Sequence, residues 1–388
     1  MLKLRRAIVL DTQPPEGLEQ QLTIALTGAG EPEGPQRRAI ADLGLLGLSQ
    51  TGDEVVVNVQ ANDLGLGSGG FDIVHVNLTR GLEADPESSA NVMKLNYTSL
   101  QHTVEPVEGG LLQLPLQQPV AVLALHGQLA PVAWAFAQAN PGWRLGYVQT
   151  EGGALAGGHS RVVRSLLQRG LLAGHVTAGA AFGGQAEAIT TAGALHHGLR
   201  ELGWDAVVCG PGPGIVGSSS VLGHGGIVAL DSAHIAMALG CPALLVARMS
   251  SSDSRARHRG ISHHTMTVLD LLLEPVTVAL PAGMRSPVGA DLRAGLGAVF
   301  GGSAPAVPPA LEAERPARIT RHDWRRAAVD LPAYATSGLP ADTMGRKLTE
   351  DPLFFGAALA GGAALAELAV RSGSHDEGAM EGEAKLGM

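Results

Sequence analysis

The chain has 388 residues, of which 45% are hydrophobic, so it is long enough for two domains or for one large domain with a smaller satellite. This apolar fraction excludes disorder for most of the length, and a net charge of −9 with 3% aromatic residues argues against general nucleic-acid binding. Two cysteines exclude a disulfide framework, and the apolar run after the basic start ends at Asp11, too early for a signal peptide. We therefore expect a cytoplasmic protein with no nucleic-acid partner.

Residues 1–115 are predicted to form a small all-β domain, either a barrel or a sandwich. Four short runs bounded by turn residues have strand character, and two of them alternate their side chains as a half-buried strand does. These runs cover residues 4–10, 21–26, 54–60 and 72–78. The glycine, asparagine and aspartate residues between the last two runs supply a chain reversal.

Residues 116–300 are predicted to form a Rossmann-like α/β domain with a doubly wound, mostly parallel sheet of about six strands. The strand-like runs cover residues 119–125, 144–149, 175–182, 205–209, 242–247 and 275–280. The helical patterns between and after them cover residues 129–138, 160–171, 185–202, 231–239 and 263–273. Such alternation is typical of a parallel sheet covered on both faces, and six units are too few for an eight-fold barrel.

Residues 301–372 are predicted to hold a Pro-rich linker, a helix over residues 318–330 and a C-terminal helical segment, followed by a disordered tail at 373–388. The run 353–370 is apolar except for Glu367, close to the minimum length of a membrane span. Its alanine and glycine residues favour insertion only weakly, and it follows a good helix start. We therefore expect a packed helix and no membrane partner.

Most of the unusual residues of the predicted α/β domain directly follow predicted strands. His126 follows the first strand, Glu151 the second and Arg248 the fifth. Ligands of open α/β sheets bind at the carboxyl ends of the strands, so these positions favour a ligand site at that edge. A solvated loop carboxylate explains Glu151 equally well.

The fourth predicted strand is followed by the glycine turn, the sequence GPGPGIVG at residues 210–217. Glycines let backbone N–H groups approach a phosphate or a carboxylate. The residues that we interpret as ligand-binding are Gly212, Gly214, Gly217 and Ser218. The spacing also matches the dinucleotide fingerprint, but two prolines remove donors and no acidic residue ends the next strand to hold a ribose. A rigid connector between closely packed backbones is the alternative.

A second candidate anion site is the sequence DSRARHRGISHHT at residues 253–265. Ser262 is well placed to cap a helix, whose positive end would attract an anion and keep His263 and His264 neutral. The residues expected to bind the ligand here are Arg248, Arg257, His258, Arg259 and His264. In an extended loop the alternating arginines would point the same way. Arginines paired with acidic neighbours in a solvated loop are the alternative.

The candidates for acid–base catalysis are Glu151, His263 and His126. The 14 histidines contain no HxH or HxxxH spacing, and adjacent residues such as His263 and His264 point about 100° apart on a helix, so no metal ligand and no cofactor is assigned. A metal site would need several residues to converge in three dimensions: His224, Asp231, His234, His258 and His263.

Several segments of the chain resemble an uncharacterised bacterial family described only as a domain of unknown function. They are MKLNYT at 93–98, GPGPGIVG at 210–217, HRGISHHT at 258–265, and MGR at 344–346 with DPLFF at 351–355. The resemblance covers most of the chain and implies a bacterial cytosolic protein. It carries over no activity, cofactor or catalytic residue.

The sequence thus favours an enzyme or a binding protein that acts on a small anionic metabolite, phosphorylated or carboxylate, at the carboxyl edge of a parallel sheet. As an enzyme it would use histidine and glutamate acid–base chemistry. A non-catalytic ligand sensor or assembly subunit, with the N-terminal domain making contacts, is the alternative. A metal-dependent hydrolase is third, and a homo-oligomer is compatible with each of them.

Overall fold

The structure, a computed structural model, describes residues 1–28, 31–66, 69–82, 90–218, 220–282 and 317–386, without the side chains of 31–33 and 373–386. It divides into two compact units. The first comprises Met1–Glu105 and Leu155–Ser160, and the second comprises Pro106–Ala154 and Arg161–Met388. The expected Pro-rich linker, which begins at residue 301 and runs to 309, lies outside the described residues.

The first unit contains a closed five-stranded barrel with the strand order β1-β2-β3-β5-β4. The strands and short helices of this unit are β1 (Leu4–Thr12), β2 (Glu19–Gly28), β3 (Glu31–Asp42), α1 (Leu43–Leu46), β4 (Glu54–Asn58), α2 (Gln60–Asp63), β5 (Asp72–Asn77), and the antiparallel pair β6 (Val92–Lys94) and β7 (His102–Val104). Alternate residues such as Val55 and Val57 fill its core. The expected small β domain is confirmed, as a barrel.

The second unit is built on an eight-stranded sheet in which every neighbouring pair is parallel. The strands of the unit are β8 (Val120–Val122), β9 (Leu145–Thr150), β10 (Gly174–Ala178), β11 (Ala186–Ala188), β12 (Ala206–Pro211), β13 (Ala243–Leu245), β14 (Met249–Ser250), β15 (Gly260–Ile261), β16 (Thr277–Pro281), β17 (Asp323–Ala327), β18 (Asp342–Thr343) and β19 (Arg346–Lys347). The sheet order is β11-β10-β9-β12-β8-β13-β16-β17, and β14/β15 and β18/β19 form short antiparallel ribbons. All six predicted strands are present.

Helices cover both faces of this sheet, which confirms the doubly wound α/β fold. They are α3 (Leu129–Ala139), α4 (Arg161–Gln168), α5 (Thr191–His196, continued by a π turn over His197–Glu201), α6 (Val228–Ala238), α7 (His263–Leu271), α8 (Leu331–Ala335) and α9 (Pro352–Leu386). Apolar residues of α3, α4 and α9 pack in one core cluster, and those of α5, α6 and α7 pack mainly in the other.

The two added strands lie at the edges of the sheet, where helices were predicted. The helix expected over 318–330 is wrong, because Asp323–Ala327 pairs in parallel with β16 and only a short helical turn precedes it. The Trp324 indole N–H donates to the Ile319 carbonyl and fixes the entry to the strand. The helix predicted over 185–202 begins only at Thr191, since Ala186–Ala188 extends the sheet beside β10.

Helix α9 packs inside the second unit. Its segment Pro352–Ser372 has a mean hydropathy of 1.8 and is long enough to cross a membrane, but 78% of its apolar window is buried in the protein. This is typical of the core helix of a soluble protein and agrees with the expected packed helix. The backbone stays helical to Leu386, and the disordered tail at 373–388 stays a prediction because its side chains lie outside the described residues.

The site described below lies where the chain changes direction across the sheet. After β8 the chain continues into α3 on one face, whereas β12 and β13, the neighbours of β8, lead to α6 and α7 on the other face. The chain therefore leaves β8 and its neighbours towards opposite faces of the sheet, and the carboxyl ends of strands at such a switch are where open α/β sheets bind ligands.

Candidate functional site

Four buried histidines lie against one another at this edge of the sheet, and we call them the histidine cluster. They are His224 (4% exposed), His258 (1%), His263 (3%) and His264 (7%). The rings of His224 and His264 stack with centroids 3.6 Å apart, and the His263 ring lies 4.4 Å from that of His264. The His258 ring lies 4.9 Å from each of the other two rings on the α7 turn.

The start of helix α7 positions three of these rings. Ser262 caps the helix as predicted, and its hydroxyl accepts the His264 backbone N–H at 3.2 Å. The same hydroxyl lies 2.8 Å from Nδ1 of His258, which ends a 3-10 turn over Ala256–His258. One serine therefore orients both the helix start and the His258 ring.

The glycine turn positions the fourth ring, although it is far from α7 in sequence. Gly217 pairs with His224 in an antiparallel bridge, and the Gly225 N–H donates to the Val216 carbonyl at 2.8 Å. A Cβ atom added to Gly217 would lie 3.3 Å from the His224 Cβ. The small residue at 217 therefore lets the backbone approach and place His224 in the cluster.

Burial keeps the histidine cluster neutral. It lowers the pKa of His258 to about 3 and that of His263 to about 4, with nearby arginine and histidine charges acting in the same direction. Burial also lowers the pKa of His264. It lowers the pKa of His224 as well, although a contact with the Val221 backbone acts in the opposite direction. Neutral imidazoles were expected from the positive end of the helix, whereas burial is the larger cause.

Arg248 brings a buried positive charge to the cluster. It is 4% exposed, and its Nη1 lies 2.9 Å from Nδ1 of His264. Burial lowers its pKa to about 10, so the guanidinium remains charged at neutral pH. Because a guanidinium only donates hydrogen bonds, Nδ1 of His264 accepts, and Nε2 carries the proton of the neutral ring.

Two buried aspartates lie near Arg248, but both accept hydrogen bonds from other arginines. Asp253 accepts from Arg255 at 2.9 and 3.0 Å, and its carboxylate lies 3.5 Å from Arg346 and 3.8 Å from Arg248. Burial raises the pKa of Asp253, but the hydrogen bonds from Arg255 outweigh it, and the net pKa is lowered. Asp351 accepts from Arg346 at 3.0 Å and from the Ser250 hydroxyl at 2.6 Å. These carboxylates leave Arg248 only partly compensated.

The arginines of the 253–265 segment do not form the strip that an extended loop would give. The 3-10 turn over Ala256–His258 contradicts the extended conformation, so the expected common direction is wrong. Arg255 pairs with Asp253, as in the alternative interpretation, and Arg259 donates to the Asp253 carbonyl at 2.8 Å. Arg257 differs, since its Nε is buried with no hydrogen-bond partner within the described part of the chain.

The histidine cluster lies in the part of the chain that matches a known protein family. Residues 38–362 match a family model described as "Protein of unknown function (DUF3866)". The chain belongs to this family. No curated protein and no solved structure matches the chain. The match confirms the resemblance to a domain of unknown function, and the matched DUF3866 region includes the histidine cluster, Arg248, Asp253 and Asp351.

The glycine turn of this DUF3866 chain packs tightly against its neighbours. A Cβ atom on Gly212 would lie 2.3 Å from the Gln149 amide nitrogen, and one on Gly153 would lie 2.1 Å from the Gly212 carbonyl oxygen. No helix begins at the turn, since α6 begins at Val228, so the geometry of a dinucleotide fingerprint is not formed. The connector interpretation explains Gly212. Ligand binding stays a prediction for Gly212, Gly214, Gly217 and Ser218.

Two predicted catalytic residues lie outside the histidine cluster. His126 is buried with its Nδ1 3.3 Å from the Tyr147 hydroxyl, and burial lowers its pKa to about 4. Glu151 is exposed at the end of β9, and its carboxylate lies near Gly179. Their catalytic roles stay predictions. Of the residues expected at the ligand edge, the structure brings Arg248, His258, His263 and His264 together.

Proposed function

We propose that this DUF3866 protein binds a small anionic metabolite, a phosphorylated or carboxylate compound, between Arg248 and the histidine cluster. The observation that carries the proposal is the buried, charged Arg248, whose nearest carboxylate is 3.8 Å away and is already bound by Arg255. A buried charge without full compensation is costly, and a bound anion would remove that cost.

Elsewhere in this unit, backbone N–H groups that could bind an anion donate to carboxylates of the chain itself. Glu187 accepts the Gly183 backbone N–H at 2.7 Å, and Glu108 accepts those of Ile189 and Thr190 at 2.9 and 3.0 Å. At the cluster, by contrast, Arg257 Nε and His263 Nε2 are buried without a hydrogen-bond partner among the residues described. These donors and acceptors are available to a ligand.

His263 supplies the acid–base chemistry in this proposal. Its ring stands in the first turn of the nine-residue helix α7, whose positive end also favours an anion. A bound anion raises the pKa of His263, because negative charge favours imidazolium. Anion binding is therefore accompanied by proton uptake, which calorimetry in buffers of different ionisation enthalpy measures.

A thermal-unfolding experiment tests the binding. Inorganic phosphate and acetate are added to chelator-treated protein, with chloride at equal ionic strength as reference. At about 100 times its Kd, an anion that binds the folded state adds about 2.7 kcal/mol. Arg248→Met should abolish the shift, and Arg144→Met, a change of an exposed arginine, should retain it. No anion-specific shift, or a full shift in Arg248→Met, contradicts the proposal.

A non-catalytic sensor is the second candidate, and one observation favours it. Both buried aspartates beside the cluster are held by arginines, and Glu151 lies exposed at the end of β9. Among the described residues, none of these three carboxylates is placed to act as a base on an anion bound at the cluster, as expected for a site that binds without catalysis. Binding that survives with no turnover of phosphate esters or acyl phosphates supports the sensor, and turnover that His263→Gln abolishes supports the enzyme.

A further inference from the structure

We propose that His224, His263 and His264 form a binding site for one divalent transition-metal ion of the Zn²⁺ or Co²⁺ class. Each residue offers one ring nitrogen, and the three nitrogens lie within 4.8 Å of one another. We call these residues the histidine triad. The metal site rests on this geometry alone, and only its consequence for Arg248 rests on the proposed anion binding. With an ion bound, His263 is a ligand, so the acid–base role proposed for it above applies to the metal-free protein.

The chemistry of the triad selects the class of ion. Imidazole nitrogen suits zinc, cobalt, nickel and copper, whereas magnesium and calcium prefer oxygen ligands. Three protein ligands leave a fourth tetrahedral position for water or a substrate oxygen, as in catalytic zinc sites. The rings are neutral at physiological pH, so an ion would displace no proton from them.

Unpartnered ring nitrogens in the triad point to a missing ligand. Nε2 of His263 is buried without a hydrogen-bond partner in the described residues, and the ring nitrogens of His224 have only a contact with the Val221 backbone that is not a well-formed hydrogen bond. A buried polar atom left without a partner costs about 1–3 kcal/mol. A bound metal ion would satisfy one nitrogen of each ring, and the stacked imidazoles alone cannot.

Metal binding and the present Arg248 contact exclude each other. Nδ1 of His264 now accepts from Arg248 at 2.9 Å, so Nε2 holds the proton. Ligation through Nδ1 displaces the guanidinium directly. Ligation through Nε2 moves the proton to Nδ1, which then faces Arg248 as a second donor. On either route the metal releases Arg248, which becomes free to bind the anion beside the ion.

Metal titration of the full chain tests the triad. Protein stripped of metal with a chelator is titrated with Co²⁺ alone, and binding is followed by the visible absorption of tetrahedral cobalt. In a separate sample loaded with Zn²⁺, the zinc retained after dialysis is measured by mass spectrometry. We expect one ion per chain. His224→Gln and His263→Gln should weaken binding by more than the roughly 10–100-fold that an outer-shell change costs. His197→Gln, a change of a part-buried histidine on another helix, should bind as wild type does.

Two further measurements keep the test decisive. In wild-type protein, Zn²⁺ but not Mg²⁺ should raise the unfolding temperature, which requires no variant to fold. Arg248→Met should tighten Co²⁺ binding, because it removes the competitor for His264. Absence of cobalt absorption and of zinc retention in wild type overturns the metal site, and unchanged or weaker binding in Arg248→Met overturns the exchange. A phosphate shift in chelator-treated protein without any metal binding leaves the proposed function standing and defeats this inference alone.

Discussion

The neutral histidines make stability depend on pH in a defined direction. The pKa of His258 is lowered by burial to about 3 and that of His263 to about 4, from an unfolded value of 6.5. Above pH 6.5 both states are neutral, so the stability is fully present. Below pH 6.5 these histidines bind protons in the unfolded chain but stay neutral in the folded chain. The free energy of unfolding therefore falls by about 1.4 kcal/mol per pH unit for each histidine until the pKa of the folded state is reached.

Denaturant unfolding between pH 7 and roughly pH 4 measures this loss. His263→Gln removes one titrating group, so its free energy of unfolding should fall less steeply than that of the wild type. His197→Gln, outside the cluster, serves as the reference. Equal slopes for the wild type and His263→Gln would show that His263 is not kept neutral by the fold.

Asp351 connects the 344–355 segment to the cluster. Its carboxylate is fully buried and accepts from Arg346, Ser250 and Ser251. Asp351→Asn should lower the free energy of unfolding by somewhat less than the roughly 3–5 kcal/mol of a fully buried pair, because Arg346 is 19% exposed. Asp342→Asn, at an exposed carboxylate, should change stability by under about 0.5 kcal/mol. Similar effects of the two changes in urea denaturation would refute this role.

Single residues of the site were predictable where local chemistry decides them. Ser262 as a helix cap follows from its position before His263, and Arg248 follows from its place after a strand. His224 was named only among the residues that would have to converge for a metal site, because the tertiary pairing of Gly217 with His224 that brings it to α7 has no local sequence signal. Asp351 was missed for the same reason, since its partners Ser250 and Ser251 lie about a hundred residues away in sequence.

At the scale of elements, α9 and α3 pack through a glycine contact. A Cβ atom on Gly362 would lie 2.3 Å from the Val132 carbonyl oxygen. Gly362→Ala should stabilise the helix by about 1 kcal/mol through its higher helix propensity. Overpacking should destabilise the folded state by about 1–3 kcal/mol, because a backbone oxygen cannot rotate away from the added methyl group.

We therefore expect a net loss of up to about 2 kcal/mol in the free energy of unfolding of Gly362→Ala. Gly109→Ala is the matched control, since a Cβ there would meet nothing within 4 Å. Thermal or urea unfolding of both variants measures the difference. A stabilised Gly362→Ala would mean that α9 does not pack this closely on α3.

Elements with clear hydrophobic patterns were predictable, and polar strands were not. The six central strands are apolar runs bounded by turns, whereas β3 contains two prolines, a glycine and several charges. Its identity as a strand comes from closing the barrel between β2 and β5. Likewise β17 carries two arginines, and its pairing with β16 outweighs the local helical pattern.

For the whole molecule, the alternation of strands and helices was enough to predict a doubly wound sheet with a β domain before it. The strand order was not predictable, because β12 inserts between β9 and β8 through contacts that no local pattern encodes. That insertion makes β12 and β13 the neighbours of β8, and Arg248 and the histidine cluster lie in the segments that follow these two neighbours.

The anion site that we propose lies between Arg248 and the histidine cluster. Anomalous X-ray diffraction from crystals soaked in arsenate, a phosphate analogue, locates the anion directly. We expect one arsenic peak within hydrogen-bond distance of the Arg248 guanidinium and beside the His263 ring. Arsenate ordered only elsewhere in the molecule, or no peak at the cluster at concentrations that saturate binding in solution, would contradict this proposal.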